Sequence, residues 1–322
     1  MSIKQCQYLG PNAETCQHDA EIENFCYWHD NSKNKTENDL VTRLENRART
    51  GEPMIGFCLR EADLKGINLV NHGKKVGYKL CYTDLYRCDL SQAHLFNIDL
   101  TGSSLMKAKL NQANLNCAYL HHVNMLGLQL DQVKMDHVRW DETIFQEINA
   151  LKEKDKNVRL DLLEQAEEIY RSLRKAAETQ GLFESAGHFF KREMTMRRLQ
   201  KPKFSAKRVL SKLVDVFCGY GEEPSRVIMF SLVIIVTFSL VYSLLGITDG
   251  TTIIQFSHEL SLSENLRNIA YTTYFSVVTF TTLGYGDLVP IGWARAFAAI
   301  EAFLGSFTLA LFVVVFVKKM TR

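Results

Sequence analysis

Leucine recurs every five residues from Leu80 through Leu85, Leu90 and Leu95 to Leu120 without a break, and Met125, Leu130, Met135, Trp140 and Phe145 continue the register. Two residues before each of these sits, in most repeats, a small or β-branched side chain: Thr83, Cys88, Ala93, Ser103, Ala108, Ala113, Ala118, Val123, Val133 and Val138. A helix repeats about every 3.6 residues and a strand every 2, and neither divides five, so this stretch is neither an amphipathic helix nor a simple strand. A fixed short period predicts a solenoid, in which each turn buries the face of its neighbour.

Ala62-Asp63-Leu64-Lys65-Gly66 and Ala113-Asn114-Leu115-Asn116-Cys117 resemble the repeat of the pentapeptide-repeat family. The resemblance covers residues 57–146. It implies a right-handed quadrilateral β-helix with four repeats per coil and both stacks facing inward, with coils about 4.8 Å apart. Leu64 and Leu69 belong to an earlier turn. The step from Leu69 to Leu80 is eleven residues rather than ten, which predicts one inserted residue, with residues 71–77 as the bulge. A known use of this fold is mimicry of DNA by an acidic surface. Residues 78–146 carry six Lys/Arg and seven Asp/Glu, so the one-signed field that mimicry needs is missing. A rigid spacer or a docking platform for a cytosolic protein remains.

Residues 1–30 are rich in Cys and His. Cys6, Cys16, Cys26 and His29 could supply the four S or N ligands of a structural zinc, with His18 as a substitute. Cys26 and His29 have the short spacing of a chelating knuckle, and a segment with few aliphatics would gain stability from a metal. The alternative is free thiols beside the packing aromatics Phe25, Tyr27 and Trp28. All eight cysteines precede the first long apolar stretch; in the cytosol they would be reduced or metal-bound. The first ten residues lack the apolar core of a signal peptide. Residues 31–56 are expected as a polar linker that can lead into a short helix.

From Val158 the period becomes helical. Leu162, Ala166, Ile169, Leu173 and Ala177 form one stripe, and after Gly181 a second runs through Leu182, Ala186, Phe190 and Met194. This predicts a helical hairpin over 147–200, with Glu164, Glu167 and Glu168 on a solvated face. Residues 191–212 hold nine basic residues and one acid, Glu193. Just before an apolar span, such a run faces anionic lipid more simply than nucleic acid, so no nucleic-acid partner is expected. Residues 201–223 are expected as a basic interfacial helix with Leu210, Leu213, Val214 and Phe217 on its apolar face.

Residues 227–248 carry no charge, and residues 296–317 carry only Glu301. Each is long enough to cross a bilayer, where about 20 apolar residues suffice. Basic residues flank the outer ends, whereas the 247–292 loop has four acids and Arg267, which predicts cytoplasmic termini. Within that loop Thr281-Thr282-Leu283-Gly284-Tyr285-Gly286-Asp287 follows an apolar segment, residues 269–280, suited to a pore helix. Rings of backbone carbonyls can replace the hydration shell of a cation, and glycine tolerates the backbone angles that aim them at one axis.

This stretch resembles the selectivity filter of the potassium-channel family, with Leu283 where Val is usual, and the layout of 224–322 resembles a two-span, pore-loop channel. The resemblance implies a homotetramer in a bacterial inner membrane, in contact with lipid and conducting K+ passively. Ion sites would be formed by Thr282, Leu283, Gly284, Tyr285 and Gly286. Tyr285 would brace the filter against the pore helix, and Asp287 would shape the outer mouth. Gly305 could be a gating hinge or could let helices approach closely. Phe312 and Phe316 are candidates for an inner constriction or for lipid-facing packing. Glu301 either braces the pore helix through Thr272 or Thr273, or lies hydrated near the outer face. The whole is expected as a multidomain membrane protein whose N-terminal domain modulates the pore, since no span carries the repeated Arg of a voltage sensor and no soluble domain follows the second span. A weakly selective cation channel and a membrane-anchored scaffold or sensor stay as alternatives. No catalytic constellation stands out, so an enzyme is not expected.

Overall fold

The five-residue period is realised as a coil. Parallel bridges join Lys79 to Asp99, Asp84 to Ser104, Asp89 to Lys109 and His94 to Asn114, so each pairs with the residue twenty positions on. In each repeat the residue two after the leucine takes positive φ, as at Arg87 (54°) and His137 (57°), and in most of them the following N–H returns to the leucine carbonyl, as from Cys88 to Leu85 (3.1 Å); Thr83 N donates instead to the Ser103 hydroxyl (3.0 Å). This is a corner with a left-handed third position. It costs a non-glycine residue about 1–2 kcal/mol, and the ladder bonds on either side offset that cost. The leucines from Leu80 to Leu120 are 0–3% exposed, and Cys88, Ala93, Ala108, Ala113 and Ala118 are buried beside them. A coil this narrow has room for one large side chain per repeat, which explains the small residues. The last coil closes with β1 (Tyr119–Leu120) paired in parallel to β2 (Arg139–Trp140).

The computed structural model describes residues 4–11, 13–21 and 24–321, and it divides into two units, Met1–Arg208 and Val209–Arg322. In the first unit the repeat begins earlier than Leu80. Cys58 bridges Asp84 and Asn68 bridges His94, a separation of 26 residues against 20 at Lys79–Asp99. One face of the first coil therefore carries six extra residues in the 70–79 segment, which corrects the single-residue insertion expected from the leucine register. Leu69 and Leu80 occupy neighbouring faces, not alternate ones.

Helix α1 (Leu40–Thr50) lies within the 31–56 stretch expected as a linker. Leu40, Leu44 and Ala48 are buried in the same core as Phe57, Leu59 and Leu64, so this stretch closes the open end of the coil. At the other end α2 (Phe145–Lys152) precedes α3 (Lys156–Thr179) and α4 (Phe183–Leu199), three helices where a hairpin was expected. The Asp155 side chain caps α3 by accepting from Asn157 N and Val158 N (2.8 and 3.0 Å). The buried stripe of α4 is Ala186, Phe189, Glu193 and Met196, rotated from the expected Phe190 and Met194, which are half-buried. Two acids account for that rotation. Glu193 is buried, accepts from Arg174 Nε (2.8 Å) and pairs with Arg171 and Arg197; Glu167, expected on a solvated face, is buried and accepts from Arg197 and Gln200. Arg192 pairs with Glu147 (3.5 Å). Part of the basic run therefore serves intramolecular pairing rather than lipid, a correction to the reading of its charge.

The second unit contains α6 (Pro224–Leu245), α7 (Leu262–Phe280) and α8 (Ala294–Met320), preceded by α5 (Ala206–Cys218), which crosses the division between the units. Helices α6 and α8 are long and apolar enough to cross a membrane, and most of their surface is uncovered in the single chain. Pro224 sits in the first turn of α6, where a missing N–H costs nothing. Helix α7 starts at a capping box in which Ser261 and Glu264 satisfy each other's backbone N–H. It is a full turn or more longer at its start than the apolar segment 269–280, because its first turns are polar. A three-stranded antiparallel sheet, β4 (Ile253–Ile254), β3 (Ile247–Thr248) and β5 (Val289–Pro290), ties the end of α6 to the start of α8.

Candidate functional site

Helix α7 ends in the stretch that carries the chemistry. Thr281 N, Thr282 N and Leu283 N all donate back to its last carbonyls, those of Val277, Thr279 and Val278, each at 3.0 Å. The chain then leaves the helix with its N–H groups engaged and its carbonyls turned away. Thr282 (φ 57°), Gly284 (φ 57°) and Gly286 (φ 79°) are left-handed, while Leu283 and Tyr285 between them are not. Alternating hands brings successive carbonyls to one side, where a strand would point them to opposite sides. Among the described residues no hydrogen bond ends on a carbonyl oxygen of residues 281–286. A side chain at Gly284 or Gly286 would meet no atom within 4 Å in the single chain, so glycine is needed here for φ. Thr282 adopts the same conformation with a β-branched side chain, at a cost of about 1–3 kcal/mol.

Leu283 and Tyr285 are 59% and 68% exposed in the single chain. Tyr285 is therefore not the in-chain brace. That contact comes from Tyr274 of α7, whose hydroxyl donates to Asp287 Oδ2 (2.8 Å) and fixes the segment's outer end.

Behind α7 the three long helices meet at one acid. Glu301 of α8 is fully buried, Tyr242 of α6 donates to its Oε2 (2.6 Å), and Ser276 of α7 lies 2.5 Å from its Oε1. The hydrated placement of Glu301 is thereby overturned, and its partners are Tyr242 and Ser276. Thr272 and Thr273 instead face Ser239 of α6 (3.3 and 2.8 Å). Tyr242 and Ser276 were legible as polar groups in apolar helices, but their convergence was not.

Gly305 is buried, and a Cβ there would collide with the Phe280 carbonyl at the end of α7. The close-approach role of this glycine is thus visible in the packing. Gly305→Ala is expected to cost about 1–3 kcal/mol by overpacking, because backbone cannot yield as a flexible side chain can. Thermal melting of the detergent-solubilised protein reads this, and a melting point equal to wild type would refute it. Phe312 and Phe316 stack on each other (5.6 Å between centroids); Phe312 also packs near Val227 and Val315, and Phe316 is largely exposed. At the lower end Lys318 donates to Glu222 (2.5 Å), joining the end of α8 to the turn before α6.

In the first unit Cys6, Cys16, Cys26 and His29 converge, with their ligand atoms all within 4.8 Å of one another. His18 does not join them; it lies against Arg47 (2.7 Å). Burial pushes the Cys16 thiol up to about 12 and raises Cys26, while burial lowers His29 and keeps its imidazole neutral. The set has the number and softness of donors that tetrahedral zinc takes, so the residues fit the metal.

Residues 230–322 match a family described as "Ion channel", and residues 83–116 and 99–136 match pentapeptide repeats, in eight copies. No curated protein matches the chain. Among solved structures, a pentapeptide repeat protein, Rfr23, from the cyanobacterium Cyanothece 51142 is 27% identical, covering 28% of this chain and 60% of its own, with a TM-score of 0.24. HetL, a pentapeptide repeat protein involved in heterocyst differentiation regulation in the cyanobacterium Nostoc sp. strain PCC 7120, is 24% identical over 26% of this chain and 50% of its own, with a TM-score of 0.14.

Proposed function

We propose that this chain, an ion-channel region joined to pentapeptide repeats, assembles as a homotetramer that conducts potassium passively and selectively. The observation that carries the reading is the alternation of left-handed residues at Thr282, Gly284 and Gly286, with carbonyls left without hydrogen bonds. One chain supplies one wall of oxygens, and a closed ring needs several. Ion sites are assigned to the carbonyls of Thr282, Leu283, Gly284 and Tyr285 and to the Thr282 hydroxyl, with Asp287 held at the mouth by Tyr274. Helices α6 and α8 are the spans, and the basic flanks support cytoplasmic termini; a bacterial inner membrane is part of the same reading, from the resemblance to two-span channels. The uncovered apolar residues Leu210 and Leu213 of α5 support an interfacial helix against lipid. The repeat region is read as a right-handed, square-sectioned β-helix that modulates opening through α5 and can dock a cytosolic protein. The Gly305 hinge and the Phe312–Phe316 constriction belong to the same reading, as does zinc at the Cys6, Cys16, Cys26 and His29 cluster.

The test is the reversal potential of the purified protein in a planar bilayer, with potassium on one side and sodium on the other. A value near the potassium equilibrium potential is expected. A value near zero with clear currents would refute selectivity and favour the weakly selective pore that the exposed Leu283 allows.

A further inference from the structure

The open end of a β-helix exposes both its core and a row of unpaired backbone groups, and it must be covered. Here the cover is the N-terminal head together with α1. Trp28 O accepts the outward N–H of Cys58 (2.8 Å), Glu45 accepts that of Asn68 (2.8 Å), and buried Lys35 donates to Cys58 O (2.7 Å). Trp28 stacks on Phe57, 4.9 Å between centroids, at the first corner of the core. Yet among the described residues the head has little of its own to hold it: isolated antiparallel bridges such as Gln5–Asp19 and Leu9–Thr15, a handful of loop hydrogen bonds, and few buried apolar side chains.

One residue belongs to both structures. The His29 ring lies between Tyr8 (stacked, 4.0 Å) and Phe57 (edge-on, 5.5 Å). Its Nε2 lies 2.9 Å from the Ile55 carbonyl, a partner that can only accept, so Nε2 carries the proton and Nδ1 is left as a donor atom for a metal. That Nδ1 faces Cys6 Sγ (3.5 Å) and Cys26 Sγ (3.2 Å), and Cys16 Sγ stands 3.7 Å from Cys26 Sγ. Tetrahedral zinc with ordinary bond lengths requires edges of about 3.8 Å between sulfurs and about 3.6 Å between sulfur and nitrogen. The sulfur spacing is far longer than a disulfide and close to the edge of a zinc tetrahedron.

We propose that the divalent metal is the fastener of this cover: zinc binding seats the head on the first coil through His29, so metal occupancy governs the order of the solenoid's N-terminal end. This rests on the zinc reading of the cluster. Without the metal, Cys6, Cys16 and the Cys26–His29 knuckle are three separate points of chain; with it they are one, tied at Ile55 to the segment that leads into the coil.

The test uses the full-length protein in detergent, purified without chelator. Elemental analysis is expected to give one zinc per chain. Hydrogen exchange is then followed before and after stripping with a strong chelator, and again after adding zinc back. Stripping is expected to speed exchange in residues 24–80 on the order of tenfold or more, to leave residues 99–120 unchanged, and to be reversed by zinc. Cys26→Ser should lack zinc and reproduce the stripped pattern, and Cys117→Ser should keep both. Stoichiometric zinc with unchanged exchange in residues 55–80 after stripping overturns the fastener while leaving zinc in place. Absence of zinc, or a Cys16–Cys26 disulfide by mass spectrometry, overturns both.

Discussion

Replacing Gly284 with alanine is expected to abolish ion flux while the protein still folds and assembles. The position is left-handed at φ 57°, and a Cβ there would touch nothing within 4 Å of the same chain. The penalty is therefore conformational, about 1–2 kcal/mol per chain. In the proposed tetramer, four chains around one axis would multiply it to about 4–8 kcal/mol, against an alternative that is easily reached: the residue rotates to negative φ and takes a carbonyl away from the axis. Losing one ring of oxygens leaves a partly dehydrated cation uncompensated, which closes the path. Rubidium uptake into proteoliposomes reads the flux, and size-exclusion chromatography reads assembly. Flux equal to wild type would show that these carbonyls do not line the path.

The second large effect is expected at Glu301. Its two oxygens take the Tyr242 and Ser276 hydroxyls, one from each neighbouring helix, at a site with no access to water. Glu301→Leu preserves bulk and strands the Tyr242 hydroxyl, while Ser276 keeps the Ile235 carbonyl as an acceptor (3.0 Å). The stranded group costs about 1–3 kcal/mol, so destabilisation of about that size is expected. Glu301→Gln keeps an acceptor for one hydroxyl and should fall between. Thermal melting of the detergent-solubilised protein orders the three. If the leucine variant melted with wild type, the acid would not be what joins α6, α7 and α8.

What the residues announce and what they conceal are divided by a physical line. Wherever a property repeats, the sequence announced it: the buried leucines from Leu80 to Leu120 follow from a period no helix or strand can share. The two apolar helices follow from length and lack of charge. The Cys/His set was legible too, because those residue types have few reasons to cluster. What escaped was whatever depends on three-dimensional closure. The 70–79 face holds six more residues than its neighbours, and the leucine count could not distinguish adjacent faces from alternate ones. Helix α1 hid in a polar stretch because only Leu40, Leu44 and Ala48 face the core. Glu193 looked like a lone acid in a basic run; it is the buried centre of that run, because arginines from two helices converge on it. Tyr242, Ser276 and Glu301 are 59 and 25 residues apart along the chain and meet only once α6, α7 and α8 pack.

A coil of four corners also makes the repeat region a screw with a countable thread. Lengthening it by one whole coil of twenty residues would move the two ends apart by one strand spacing, about 4.8 Å, without turning either. Lengthening it by a single repeat of five would advance the far end by only a quarter of that, yet would swing α3 and α4 a quarter-turn around the axis relative to the head. Length and bearing are therefore separately adjustable in this architecture. The bearing of α3 and α4 is set by the number of repeats modulo four, and their distance from the head by the number of coils.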